Sequence, residues 1–269
     1  MTEGKDVVAV ESPGGKPKIV IDKVMKVYQT KSGHTHALDN FSASIADGEF
    51  VCVVGPSGCG KTTLLWAMSG LHPVSAGTIS IDGVPVKGAH PEVGMVFQEA
   101  NLLPWSTVMK NILFPFEIKS LDVKKYLDLI KHLIETVGLV GFENKYPREL
   151  SGGMQQRASL VRCLSYDPSV MLLDEPFGAL DAFTRDEMNL LLLKLWSERR
   201  KTILFVTHSI IEALFMADRI LVMTPRPGRL AREFHVELPR PRTLDMQTTP
   251  YFVEATKEIK NLIHANMNH

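Results

Sequence analysis

The chain lacks any apolar run that approaches membrane-spanning length. Leu190-Leu191-Leu192-Leu193 is short and sits in a charged, amphipathic helical pattern. It lacks net charge: 30 Lys and Arg balance 30 Asp and Glu, which argues against a broad nucleic-acid-binding surface. It has few cysteines. Cys52, Cys59 and Cys163 are odd in number and show no paired spacing, which suits reduced thiols in a cytosolic protein. There is no internal repeat and no low-complexity block, and the polar start has no signal-peptide core. Residues 1–17 are therefore expected to form a mobile tail, and any membrane role must come through a partner. What remains is ordinary globular composition, 45% hydrophobic and 22% charged. It provides enough chain for one large domain or two interlocked lobes.

The organising stretch is Gly55-Pro56-Ser57-Gly58-Cys59-Gly60-Lys61-Thr62-Thr63. It follows the apolar run Phe50-Val51-Cys52-Val53-Val54 and precedes a helical segment that starts at Leu64. Strand, glycine-rich loop and helix in that order form a phosphate cradle. Glycines let backbone N–H groups turn inward around an anion, and the helix adds its positive dipole end. Lys61 supplies a point charge for the β- and γ-phosphates, and Thr62 offers a hydroxyl to Mg²⁺. The loop alone predicts nucleoside triphosphate binding without choosing among kinase, GTPase, motor and transporter.

Upstream, Ile19 to Ile21, Val24 to Tyr28 and Leu38 to Ile45 read as strands of an antiparallel sheet, with a turn at Gly33-His34. Tyr28 could face an adenine ring or simply pack. Val93 to Phe97 reads as a buried strand with Gln98 at its end, where ligand chemistry collects in open α/β sheets. By itself Gln98 is more readily a plain loop residue. Residues 101–167 turn helical. Leu127, Ile130, Leu133, Ile134 and Val137 fall at three- and four-residue steps, and Gly138 and Gly141 end the pattern.

Ser151 in Leu150-Ser151-Gly152-Gly153-Met154-Gln155-Gln156-Arg157 is a natural N-cap, and the glycines expose backbone N–H groups at a helix start. Val170 to Leu173 is a buried strand ending in Asp174 and Glu175. Beside a phosphate loop such an aspartate holds Mg²⁺, and the glutamate is placed to deprotonate the attacking water. Asp181 caps a helix over residues 182–200. His208 closes another core strand and shares its strand-end position with Gln98 and Asp174. Leu230 to Leu238 reads as one more strand, and residues 239–269 as an extended linker and a terminal helix, too short to bury an independent core.

Taken in order, Gly55 to Thr63, Gln98, Leu150 to Arg157, Val170 to Pro176, Gly178 to Asp181 and His208 resemble the motifs of ATP-binding-cassette ATPases. The resemblance implies an α/β phosphate-loop NTPase core with an antiparallel β subdomain and an inserted α-helical subdomain at about 101–167. The ATPase domain would span residues 18–238. Asn101-Leu102-Leu103-Pro104-Trp105 and Leu238-Pro239-Arg240-Pro241-Arg242 are similar to importer ATPases for nitrate, sulfonates and taurine. A non-transport cassette ATPase is the alternative.

The resemblance further implies a head-to-tail dimer clamping ATP between one subunit's phosphate loop and the partner's Ser151, Gly152, Gly153 and Gln155, with Asp181 communicating across it. It gives Glu175 the base role, His208 and Gln98 catalytic roles, Mg²⁺ to Thr62, Gln98 and Asp174, and adenine stacking to Tyr28. A transmembrane permease would dock near Gln98 to Trp105, at the cytoplasmic face of the cell membrane. A periplasmic or extracellular binding protein would be an indirect partner, and nucleic acid none.

Overall fold

The computed structural model describes residues 17–30 and 33–267. Most of the expected N-terminal tail, residues 1–16, lies outside them. Strands β1 (Ile19–Thr30), β2 (Gly33–Ile45) and β3 (Phe50–Val54) come first, then helix α1 (Lys61–Ser69). Strands β4 (Ala76–Ile81), β5 (Val84–Pro85) and β6 (Val93–Val96) lead to helices α2 (Val108–Lys119), α3 (Leu127–Thr136) and α4 (Gly152–Leu164). Then follow β7 (Val170–Asp174), α5 (Ala182–Glu198), β8 (Thr202–Val206), α6 (Ile210–Met216), β9 (Arg219–Met223), β10 (Leu230–His235) and α7 (Pro250–Met267).

Two sheets divide the strands. One is antiparallel, in the order β2-β1-β4-β5. The other runs β10-β9-β3-β8-β7-β6, parallel throughout except for β10, which pairs antiparallel to β9. Strands β3, β7, β8 and β9 are buried at every residue. Both faces of this sheet are covered, so these strands read as continuous apolar runs without alternation. In β2 the residues from Ala37 onward largely alternate buried and exposed, as a half-covered antiparallel strand does.

Two apolar cores result. One joins the parallel sheet to α2–α7 through Phe116, Phe177, Trp196, Phe205 and Phe215. The other joins the antiparallel sheet and α1 to the opposite face, through Ile19, Phe41, Ile45 and Leu64. Burying each such side chain stabilises the fold by roughly 1.5–3 kcal/mol relative to exposure. Arg219 of β9 ties the two sheets by polar contacts: its Nη2 donates to the Ser44 carbonyl of β2, while its Nη1 donates to Glu233 of β10 at 2.7 Å.

Four expectations change. Gly33 and His34 are not a turn; they pair with Thr30 and Gln29 inside the β1–β2 ladder. Leu127 is 43% exposed while Ile130, Leu133, Ile134 and Val137 are buried. The segment opens as a 3-10 turn at Val123–Tyr126, whose three-residue period shifts the phase before the α-helix starts. The last strand stops at His235 rather than Leu238. Finally, Arg242 in the expected linker is buried, its Nη1 donating to the carbonyls of Leu214 and Phe215 at the end of α6.

Candidate functional site

The phosphate loop leaves the carboxyl end of β3 and re-enters the fold as α1. Gly60 is the hinge. Its φ is 107°, and a Cβ there would meet the Ala37 carbonyl oxygen at 2.7 Å, so geometry and space both demand glycine. With Gly60 as N-cap, no side chain caps α1 and its first turn holds no acid. The opening N–H groups and the positive dipole end face the loop, which is the arrangement an anion needs. Lys61, 7% exposed, folds back across the loop and donates to the carbonyls of Gly55 at 2.9 Å and Pro56 at 3.1 Å.

Strand ends deliver the remaining groups. Thr62 Oγ1 donates to Asp174 Oδ1 at 3.1 Å. Burial pushes the Asp174 carboxyl above its ordinary range; the Thr62 hydrogen bond opposes this and the Glu175 charge adds to it. A carboxylate held dry beside a hydroxyl is a hard-oxygen pair of the kind Mg²⁺ takes, completed by phosphate oxygens and water. Among the described residues no cluster of three or more His, Cys, Asp or Glu forms a metal cage. A cation here would therefore rest on this mixed donor set. Glu175 turns out of β7 with a left-handed backbone, φ 46°, uncommon for a non-glycine residue. Its Oε2 lies 2.8 Å from Nδ1 of His208.

A cavity of about 250 Å³ opens over the loop. Ser57, Gly58, Gly60, Lys61, Thr62, Thr63, Glu175 and Tyr28 line it. Tyr28 Oη lies 3.3 Å from His72 Nδ1, and Lys26 Nζ stands 4.9 Å above the ring. Gly55, Pro56 and Cys59 form the back of the loop rather than the cavity wall, and the Cys59 thiol is buried in the core under α1. Arg226, which sequence reasoning missed, also lines the cavity and donates from Nε to the Gly58 carbonyl at 3.0 Å. It lies on the turn between β9 and β10, with no local pattern to announce it.

Gln98, Ser151, Gly152, Gly153, Gln155 and Asp181 do not line this cavity. Ser151 N-caps α4, accepting from the Met154 N–H at 3.3 Å, and stays exposed with Gly152. Asp181 N-caps α5, accepting from the Thr184 N–H at 3.1 Å; that backbone hydrogen bond holds its carboxyl below the usual range. Gln155 Nε2 donates to the carbonyls of Pro147 and Leu150, bracing the turn before α4. The neighbouring Gln156 is buried and more telling. Its Nε2 donates to the carbonyls of Gln98, at 2.8 Å, and of Pro176, joining the loop after β6 to the loop after β7.

A phosphate loop at a strand–helix junction, with acidic and histidine side chains from neighbouring parallel strands, defines a nucleoside-triphosphate hydrolase. Residues 38–178 match the family model described as ABC transporter. The chain is 42% identical to an aliphatic sulfonates import ATP-binding protein of Bacillus cereus, over 90% of this chain and 94% of that one. It is 41% identical to a nitrate import ATP-binding protein of Synechocystis, over the same shares, 90% and 94%. Among solved structures it resembles a dimeric, post-hydrolysis ATP-binding cassette bound to ADP and Pi. There the TM-score is 0.71 and the identity 31%, covering 82% of this chain and 100% of the other. The chain belongs to the ABC transporter family, as an ATP-binding subunit whose ATP hydrolysis is coupled to transport.

Proposed function

We propose that this chain powers an importer for a small anion, such as nitrate, a sulfonate or taurine, by closing as a dimer on ATP. One observation carries the dimer reading. Among the residues expected at the nucleotide, most of the phosphate loop, Tyr28 and Glu175 line the cavity, whereas Ser151, Gly152 and Asp181 are exposed away from it. These three sit at helix starts, where a second copy can bring them to the γ-phosphate. ATP supplies charge that those helix ends satisfy, and ADP does not, so ATP favours the closed pair.

Within each site Lys61 and the loop amides grip the phosphates. Tyr28 stacks on the base, and Arg226 flanks the loop at Gly58. Thr62, Asp174 and Gln98 would hold Mg²⁺, which would offset phosphate charge. Glu175 takes the proton of the attacking water, and His208, in contact with its carboxylate, positions that group and the γ-phosphate.

The permease surface is the loop from Gln98 to Trp105. Asn111 pins it from beneath: it accepts from the Leu103 N–H at 2.6 Å and donates to the carbonyls of Leu103, Ser106 and Thr107. On that rigid support Trp105 stands 74% exposed, a suitable anchor. A cavity of about 700 Å³, lined by Met95, Ile118, Tyr126 and Phe97, the residue just before that loop, among others, provides a largely apolar seat for a helix. No helix among the described residues is long and apolar enough to cross a membrane; in this proposal the permease holds the subunit at the cytoplasmic face of the membrane. The importer reading draws on the printed functions of the sulfonate and nitrate relatives. The test is co-purification with the membrane subunit, followed by uptake from a panel of labelled anions in vesicles. ATP-dependent accumulation of nitrate or a sulfonate is expected. Accumulation confined to a cationic or neutral solute overturns the substrate class.

A further inference from the structure

A separate cavity of about 440 Å³ lies at the end of the parallel strands opposite the phosphate loop. Trp196 fixes its place. The ring packs edge-on against Phe50, the first residue of β3, at 5.7 Å. Its Nε1 donates at 2.9 Å to the carbonyl of Lys201, just before β8. The phosphate loop follows the other end of β3, so the two cavities share no residue.

The lining has two characters. Leu190, Leu193 and Trp196 of α5 give it an apolar floor, and Lys194, Arg200, Arg240 and Arg242 supply positive charge. No carboxylate lines it. The guanidinium groups of Arg200 and Arg240 lie 4.2 and 4.1 Å from the centre of the Trp196 ring. Stacking of this kind holds a guanidinium in place while leaving its edge free to donate.

The three arginines are unequally satisfied. Arg240 donates to Asp218 Oδ1 at 2.9 Å and to the Met216 carbonyl at 2.8 Å. Arg200 makes no salt bridge among the described residues. Arg242 is 5% exposed; its Nη1 has two carbonyl acceptors, but its Nε is buried with none. Burial, reinforced by the neighbouring Arg240 charge, pushes the Arg242 guanidinium down to about 10. A buried cation with an unmade hydrogen bond and a second cation beside it is costly unless an anion completes it.

We propose that this cavity binds a small organic anion. Its carboxylate, sulfonate or phosphate-monoester head sits among Arg200, Arg240 and Arg242, and its apolar body rests on Leu190, Leu193 and Trp196. The volume lies in the range of small-molecule sites, and planar guanidinium forks match oxyanions. Neither glycine loop nor helix N-terminus is involved, so the site is distinct from the nucleotide cavity in chemistry as well as place.

Hexanesulfonate, hexanol and inorganic phosphate make the discriminating probes for the full-length protein. The readout is the indole ¹⁵N–¹H resonance of Trp196, assigned by elimination with Trp66→Phe and Trp105→Phe. Hexanesulfonate should shift that resonance saturably, while hexanol and phosphate at equal concentration should not. Arg200→Gln, at an exposed position outside the ATPase site, should weaken the binding about tenfold or more, as expected for one charge-assisted hydrogen bond. Leu190→Glu, a carboxylate at the partly exposed part of the apolar floor, should abolish it. Unchanged thermal midpoints would show both variants folded. An equal response to hexanol, an equal response to inorganic phosphate, a silent Trp196 or an unaffected Arg200→Gln titration would each overturn the proposal.

Discussion

Glu175→Gln is the sharpest perturbation of the proposed chemistry, because the structure separates what it changes from what it keeps. The side chain keeps its length, so its place in the cavity and its 2.8 Å approach to His208 can both persist. Either imidazole tautomer finds a partner on an amide, which carries a donor and an acceptor. The left-handed backbone at φ 46° is a property of the turn after β7, closed by the Gly178 N–H donating to the Glu175 carbonyl at 3.0 Å, and is untouched. What disappears is a basic oxygen able to take a proton from water. General-base assistance is worth roughly 10²–10⁴ in rate, about 3–5 kcal/mol of barrier. Single-turnover phosphate release should fall by that factor while ATP binding, read by a fluorescent analogue, stays within about threefold. Size-exclusion chromatography with ATP should show the dimer accumulating, because closure is retained and its release is blocked. Phosphate release within about threefold of the wild type would remove Glu175 from the base role. Slow release with a strictly monomeric ATP complex would keep the base and refute the two-subunit clamp.

Lys61→Ala removes a buried cation and its bonds to the Gly55 and Pro56 carbonyls. ATP affinity by calorimetry should drop at least about a hundredfold, the loss of charge-assisted phosphate contacts, and near-normal affinity would refute the assignment. Ser151→Arg places a long cation at the exposed start of α4, so ATP binding should survive while ATP-driven dimerisation is lost. Dimers at wild-type levels in light scattering would contradict the cross-subunit placement. Arg226→Ala should weaken ATP binding about tenfold with little change in thermal midpoint, since its one described protein hydrogen bond is to Gly58; no change in affinity would leave Arg226 a bystander.

The parallel core was legible because strands buried on both faces show themselves as short, unbroken apolar runs. The phosphate loop was legible because Gly60 answers a local demand, a positive φ at the start of α1. Ser151 and Asp181 were legible as caps because capping is a property of three or four consecutive residues. What escaped depends on partners far along the chain. Arg226 reaches the loop across 168 positions. Arg242 reads as part of a proline-rich linker until the carbonyls ending α6 draw it inside. Gln155 and Gln156 are indistinguishable in sequence, yet a helix turns successive residues by about 100°. One therefore braces its own turn, and the other enters the core.

That second glutamine bears on how nucleotide chemistry could move a partner. The Gln156 side chain donates to both the Gln98 and the Pro176 carbonyls. Pro176 directly follows Glu175, the proposed base, and Gln98 begins the loop that ends at the exposed Trp105. A displacement of either loop must therefore carry the other or break a buried hydrogen bond, at a cost of about 1–3 kcal/mol. Arg162 adds a second tie from the same helix, donating to the carbonyls of Asn101 at 2.7 Å and Ala100 at 2.8 Å. Ser151, which caps α4, is the proposed contact for the partner's ATP. One rigid helix thus carries the proposed trans contact at its start and the tie to the γ-phosphate side at Gln156. At Arg162 it holds the Ala100–Asn101 backbone of the proposed permease-facing loop, so a shift of α4 would bear on that loop through these hydrogen bonds.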